Sequence, residues 1–149
     1  MVTICETAAS LRVMGDTLDP DEVTRMLAGD PDITRCKGVT FQTPKGKQVT
    51  SRTGIWRKTA ERKCPGDLDI QVVEILEQLT DDLDMWAHLS QHYDVEFFCG
   101  LIMKESNEGL RLRSETIEML AAHQISLDFD IYSTEPVKND ELQAKFNRE

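Results

Sequence analysis

The stretch from Asp94 to Lys104 restricts the fold more than any other part of the chain. Val95, Phe97, Cys99, Leu101 and Met103 alternate there with Glu96, Phe98, Gly100 and Ile102. Successive side chains of an extended segment point to opposite faces, so this one carries apolar groups on both. Such a strand belongs inside a sheet. It is covered on both sides, or by helices on one side and a hairpin on the other.

The remaining segments supply that cover. Ala9, Leu11 and Val13 alternate with Ser10 and Arg12, which predicts a short half-buried strand ending at Gly15-Asp16. A strongly punctuated helix follows. Asp19 can accept the free amides of its first turn, Pro20 stands where a missing N–H costs nothing, and Glu22 completes a capping box. Val23, Met26 and Leu27 form its buried stripe, Gly29 is expected in the left-handed position after it, and Pro31 prevents continuation. Asp67 caps a second helix in which Leu68, Val72, Ile75, Leu76 and Leu79 recur at helical spacing. Asp81-Asp82 restarts a shorter helix with Leu83, Trp86 and Leu89 on one face, and Ser114 is expected to cap another running to about His123. The last strand spans Ser126 to Tyr132, with Leu127, Phe129 and Ile131 expected inward and Asp128, Asp130 and Tyr132 outward.

Between the first two helices lies a basic stretch, Arg35 to Lys63, with nine Lys/Arg and one acid, Glu61. Val39–Thr43 is rich in β-forming residues, Pro44-Lys45-Gly46 is a turn, and Gly54–Lys58 is a further strand. Together these elements predict an α+β fold: a mostly antiparallel sheet with a basic β-hairpin and helices packed on one face. The domain is expected over residues 1–133. Residues 134–149, with Pro136 and few apolar groups, read as a frayed or loosely helical tail.

Charge narrows the partners. The formal net charge is −10, yet residues 1–66 carry 11 basic and 8 acidic side chains while residues 67–149 carry 6 and 19. From Asp67 to Glu108 there are eleven acids and one base, Lys104. Such a field repels nucleic acid and anionic membranes and favours a basic protein partner. No apolar run approaches the ~18 residues of a membrane helix, and no basic segment precedes an apolar one at the N-terminus, so a signal peptide is not expected. The four cysteines form no CxxC pair and read as reduced thiols of a cytoplasmic protein.

No catalytic constellation emerges, and the sequence leans against an enzyme. His88 and His92 lie four apart on a helix, but a metal site needs a third ligand; no metal or other cofactor is expected. Cys99 reads as a core thiol, Cys36 and Cys64 have no histidine near them in sequence, and no GxSxG elbow exists. Trp56 is expected to pack in the core, with Arg57 and Lys58 as edge-strand gatekeepers. If the last strand lay beside the hairpin, Asp130 could pair with Arg52 or Arg57.

The order of features resembles a bacterial family of uncharacterised proteins, domain-of-unknown-function family 4279. The resemblance runs from about Ala8 to Ser133 and rests on Leu18, Pro20, Thr24, Leu27, Pro31, Lys37, Gly38, Gly54, Trp56, Asp130 and Tyr132. It implies the extent of the domain and no activity.

Two functional classes stay open. The first is a non-enzymatic acidic binding protein, an immunity or antitoxin-like inhibitor that masks a basic partner such as a toxin through Glu77, Asp81, Asp82 and Asp84. The second is a protein that binds a small anion or nucleotide, as a sensor or an enzyme. Its site would lie between the hairpin and the last strand, at Arg52, Trp56, Arg57, Asp130 and Tyr132. A homodimer formed by pairing of strand edges is compatible with either.

Overall fold

In the computed structural model, which describes residues 2–133, the chain runs β1 (Glu6–Gly15), α1 (Pro20–Leu27), β2 (Ile33–Arg35), β3 (Thr40–Gln42), β4 (Gln48–Thr50), β5 (Gly54–Thr59), α2 (Leu68–Leu76), α3 (Leu83–His92), β6 (Asp94–Ile102), α4 (Ser114–Ala122) and β7 (Ser126–Tyr132). The expected tail lies outside the described residues. Five strands form one sheet in the order β2-β5-β1-β6-β7, and β3 and β4 pair with each other as a separate hairpin. All neighbours in the large sheet are antiparallel except β6 and β7, which are parallel and joined through α4. The fold is α+β, with a mostly antiparallel sheet.

The doubly apolar strand is internal, as its alternation requires: β6 lies between β1 and β7. Its Val95, Phe97, Cys99 and Leu101 join Ala9, Leu11 and Val13 of β1 and Trp56 of β5 in a single core. The helices complete that core with Val23 and Leu27, Leu68, Val72 and Ile75, Trp86 and Leu89, and Leu120. Both indoles find acceptors: Trp56 Nε1 donates to Thr24 Oγ1 at 3.0 Å and Trp86 Nε1 to the Thr80 carbonyl at 2.8 Å. The first bond fixes α1 on the sheet and the second ties α3 to the loop before it, because a buried indole N–H left without an acceptor is costly.

Several local expectations change. Asp19 caps α1, accepting from the Asp21 amide, but the left-handed residue is Ala28, at φ 55°, and not Gly29. Gly29 is required for a different reason. A Cβ there would meet Leu79 Cδ2 at 2.6 Å and the Gln78 carbonyl at 2.7 Å. Lys58 and Arg57 are not at an edge, because β2 pairs with the outer side of β5. Both are buried, and Lys58 Nζ donates to the Asp30 carbonyl at 2.7 Å. In β7 only Leu127 packs against the core; Phe129 and Ile131 are 46% and 62% exposed, whereas Tyr132 is buried. The strand is a sheet edge, and the helices cover only its beginning.

Ser114 does not cap α4. The carboxylate of Asp69, on α2, takes that role across the fold. Asp69 Oδ1 accepts from the Arg113 amide at 3.1 Å and from Thr116 Oγ1 at 2.5 Å, and Oδ2 lies 3.5 Å from Arg113 Nε. Arg113 is the N-cap residue, so the carboxylate holds the amide at the head of the helix, and its negative charge suits the helix dipole. Asp69 therefore sets the position of α4 relative to α2.

Burial pushes the Cys99 thiol up to about 12. The unfolded chain releases this proton from about pH 9, whereas the folded chain keeps it to about pH 12. The associated stability is thus whole below pH 9 and is lost as pH rises towards 12, by at most about 4 kcal/mol. Cys99→Val is expected to flatten the fall in unfolding free energy across that window, measured by urea titration at successive pH values. At pH 8 the thiol should resist alkylation while the exposed Cys36 and Cys64 react.

Candidate functional site

A groove of about 530 Å3 opens on the helical side of the molecule. Val73, Leu76 and Glu77 of α2 and its C-terminal end form one wall, and Met119 and His123 of α4 and its end form the other. The segment Leu79-Thr80-Asp81 closes it from below. The lining is mainly apolar, with Glu77 and Asp81 as its charged groups. Both are exposed, so they line the mouth and can meet a cation without first losing their own hydration.

The walls are held firmly. Thr80 donates its amide to the Leu27 carbonyl at 2.7 Å, and its own carbonyl takes the Trp86 indole. His123 donates from Nδ1 to the Met119 carbonyl at 2.7 Å and stands edge-on to Trp86, with ring centroids 5.2 Å apart. Asp69 sets the entry of α4.

Of the four acids expected to contact a partner, Glu77 and Asp81 line this groove, and Asp82 and Asp84 follow on the same exposed turn. Their roles differ. Asp82 caps α3, accepting from the Asp84 amide at 3.0 Å, so it is also a structural residue. Glu77 and Asp81 cap nothing with their side chains.

The five residues considered for an anion site are not brought together. Trp56 and Arg57 are adjacent on β5 and therefore point to opposite faces. Trp56 lies fully buried on the helical side, bonded to Thr24. Arg52 is exposed in the turn between β4 and β5. Asp130 and Tyr132 share the last strand, with Tyr132 Oη donating to Asp130 Oδ2 at 2.6 Å. That strand is separated from β5 by β1 and β6. Strand spacing and the four-residue offset in register put Arg57 and Asp130 roughly 20 Å apart.

Sequence reasoning missed the charged row on the other face of the sheet. Arg57, Arg12, Glu96 and Ser126 stand in register across four strands. Arg12 donates to Glu96 Oε1 from Nε at 3.0 Å and from Nη2 at 2.5 Å, and its guanidinium lies 4.1 Å from the Phe98 ring centre. Burial lowers the Arg12 pKa and Asp128 opposes the shift. Two adjacent arginines need acids nearby, so this row is a structural charge balance. Alternation along each strand was a usable signal, but the strand order was not legible.

His88 and His92 are exposed neighbours on α3, with ring centres 4.5 Å apart. Among the described residues no three His, Cys, Asp or Glu converge in a manner that would hold a metal ion. Nor is any helix among them long and apolar enough to cross a membrane.

The fold and its surface thus define a small α+β domain with a helical groove rimmed by acids. The chain belongs to the family described as Domain of unknown function (DUF4279), whose match extends over residues 5–134. No curated protein and no solved structure matches it.

Proposed function

We propose that the protein is a non-enzymatic binding protein that takes a basic partner protein at the helical groove, in the manner of an immunity or antitoxin-like inhibitor acting in the cytoplasm. One observation carries this reading: Glu77 and Asp81 stand at the mouth of an otherwise largely apolar groove. An apolar lining with a carboxylate rim suits arginine or lysine side chains, whose aliphatic stems seek apolar surface while the cationic heads stay near water and acids. The eleven acids between Asp67 and Glu108 add a long-range field that speeds encounter with a cationic surface. The anion-site alternative has less support, because its five residues are divided between two faces of the sheet and its two ends.

The test is photo-cross-linking in the native host from a reactive residue placed at Glu77, with a second placed at Lys45 on the hairpin as control. The reading predicts a basic protein captured from position 77 and not from position 45, lost when the cells are lysed at high salt before irradiation. Equal capture from both positions, or capture indifferent to salt, would contradict it.

A further inference from the structure

Two of the four cysteines, distant in sequence, meet at the start of β1. Beyond the sheet proper, residues 4–7 run antiparallel to residues 63–66. Thr7 and Lys63 exchange both backbone hydrogen bonds, at 3.0 and 3.1 Å, and the Gly66 amide donates to the Ile4 carbonyl at 2.9 Å. These bonds bracket Cys5 on one segment and Cys64 on the other. In that register Cys5 faces Pro65, and Cys64 is one residue along. The two cysteines are therefore neighbours across the paired segments. The Cys5 and Cys64 side chains are close enough to influence each other.

We propose that Cys5 and Cys64 form a thiol–disulfide exchange site whose co-reactant is a small-molecule disulfide. Cys64 is exposed and Cys5 is half-buried, which assigns the order of events. The Cys64 thiolate attacks one sulfur of the small disulfide, forms a mixed disulfide and expels the first thiolate. Cys5 then gives its proton to water and attacks Cys64 Sγ, expelling the second. In sum two protein thiols and one small disulfide become one protein disulfide and two small thiols. Burial, the neighbouring Cys64 and the Glu108 carboxylate push the Cys5 thiol up. Glu108 is held there by the amides of Cys5 and Lys104, both of which donate to its Oε1. Closure would tie the beginning of β1 to the segment that leads into α2.

The test treats the full chain with oxidised glutathione and maps its thiols by peptide mass spectrometry. Exposed Cys36 serves as an internal control, expected to hold glutathione as a lasting mixed disulfide, and buried Cys99 should stay free. The proposal predicts a monomer in which the Cys5 and Cys64 peptides are linked. Closing so long a loop is expected to raise the melting temperature by about 10 °C, and the reduced form should return with dithiothreitol. Cys5→Ser should leave glutathione trapped on Cys64, which separates the exchange step from any loss of folding. Lasting glutathione on Cys64 in the unaltered protein overturns the proposal. So does modification of Cys36 with Cys5 and Cys64 both left free.

Discussion

Replacing Asp69 with alanine is expected to lower the unfolding free energy by about 3 kcal/mol. The side chain is nearly buried, yet its two oxygens face the Arg113 amide, the Thr116 hydroxyl and the Arg113 guanidinium. Removal strands the hydroxyl of Thr116, a residue 3% exposed, and the Arg113 amide at the head of α4. A lost helix cap costs about 1 kcal/mol, and the buried donor adds about 1–3 kcal/mol. Urea unfolding followed by circular dichroism measures the sum. Asp69→Asn should recover part of the loss, because an amide oxygen still accepts one bond. A cost below about 0.5 kcal/mol would mean that α4 is held by other contacts. Since α4 forms one wall of the groove, the alanine variant should also weaken partner binding without touching the mouth.

Gln71→Leu is expected to cost about the same. Gln71 and Thr7 are both fully buried among apolar neighbours. Gln71 Nε2 donates to the carbonyls of Thr7, at 3.0 Å, and Glu61, at 2.9 Å, and its Oε1 accepts from Thr7 Oγ1 at 2.8 Å. Thr7 Oγ1 in turn accepts the Asp67 amide at 2.9 Å. The amide thus joins β1, the segment after β5 and the start of α2. Leucine has a similar volume, so packing changes little. The buried Thr7 carbonyl and hydroxyl and the part-buried Glu61 carbonyl each lose a partner, and the expected penalty is about 3 kcal/mol. Gln71→Glu should be no better, because a carboxylate cannot donate to two carbonyls. A leucine variant as stable as the parent would refute the role given to this network.

Much of the architecture was legible because it depends on local periodicity. The alternation from Val95 to Met103 placed an interior strand, and the Asp19-Pro20 start placed α1 to the residue. The hairpin turn at Pro44-Lys45-Gly46 was legible too: the Gly46 amide donates to the Thr43 carbonyl, and Gly46 has a φ of 81°. Distant pairing was not legible. Ile33–Arg35 is too short to announce a strand, yet by pairing with β5 it turns Arg57 and Lys58 from edge residues into buried ones. Asp69 and Gln71 look like the polar side of α2, and only tertiary packing turns them inward. Sequence alone named Glu77 and Asp81 from charge. The groove between them depends on α4 returning beside α2, which no local pattern encodes. The separation of Trp56 from Arg57 was readable, since neighbours on a strand cannot line one face.

The most direct measurement is the affinity of the partner recovered by cross-linking for the parent protein and for a Glu77→Lys/Asp81→Lys variant, by isothermal titration at two salt concentrations. Lysine at position 77 sits at the C-terminal end of α2, where a cation suits the helix dipole. Asp82, which caps α3, is left intact. Folding should therefore survive the exchange, as a matched melting temperature would verify. The groove account predicts that the parent binds more weakly as salt rises and that the variant loses about 100-fold in affinity, while Lys45→Glu/Lys47→Glu on the hairpin binds as the parent does. A double variant that binds within about twofold of the parent would contradict it.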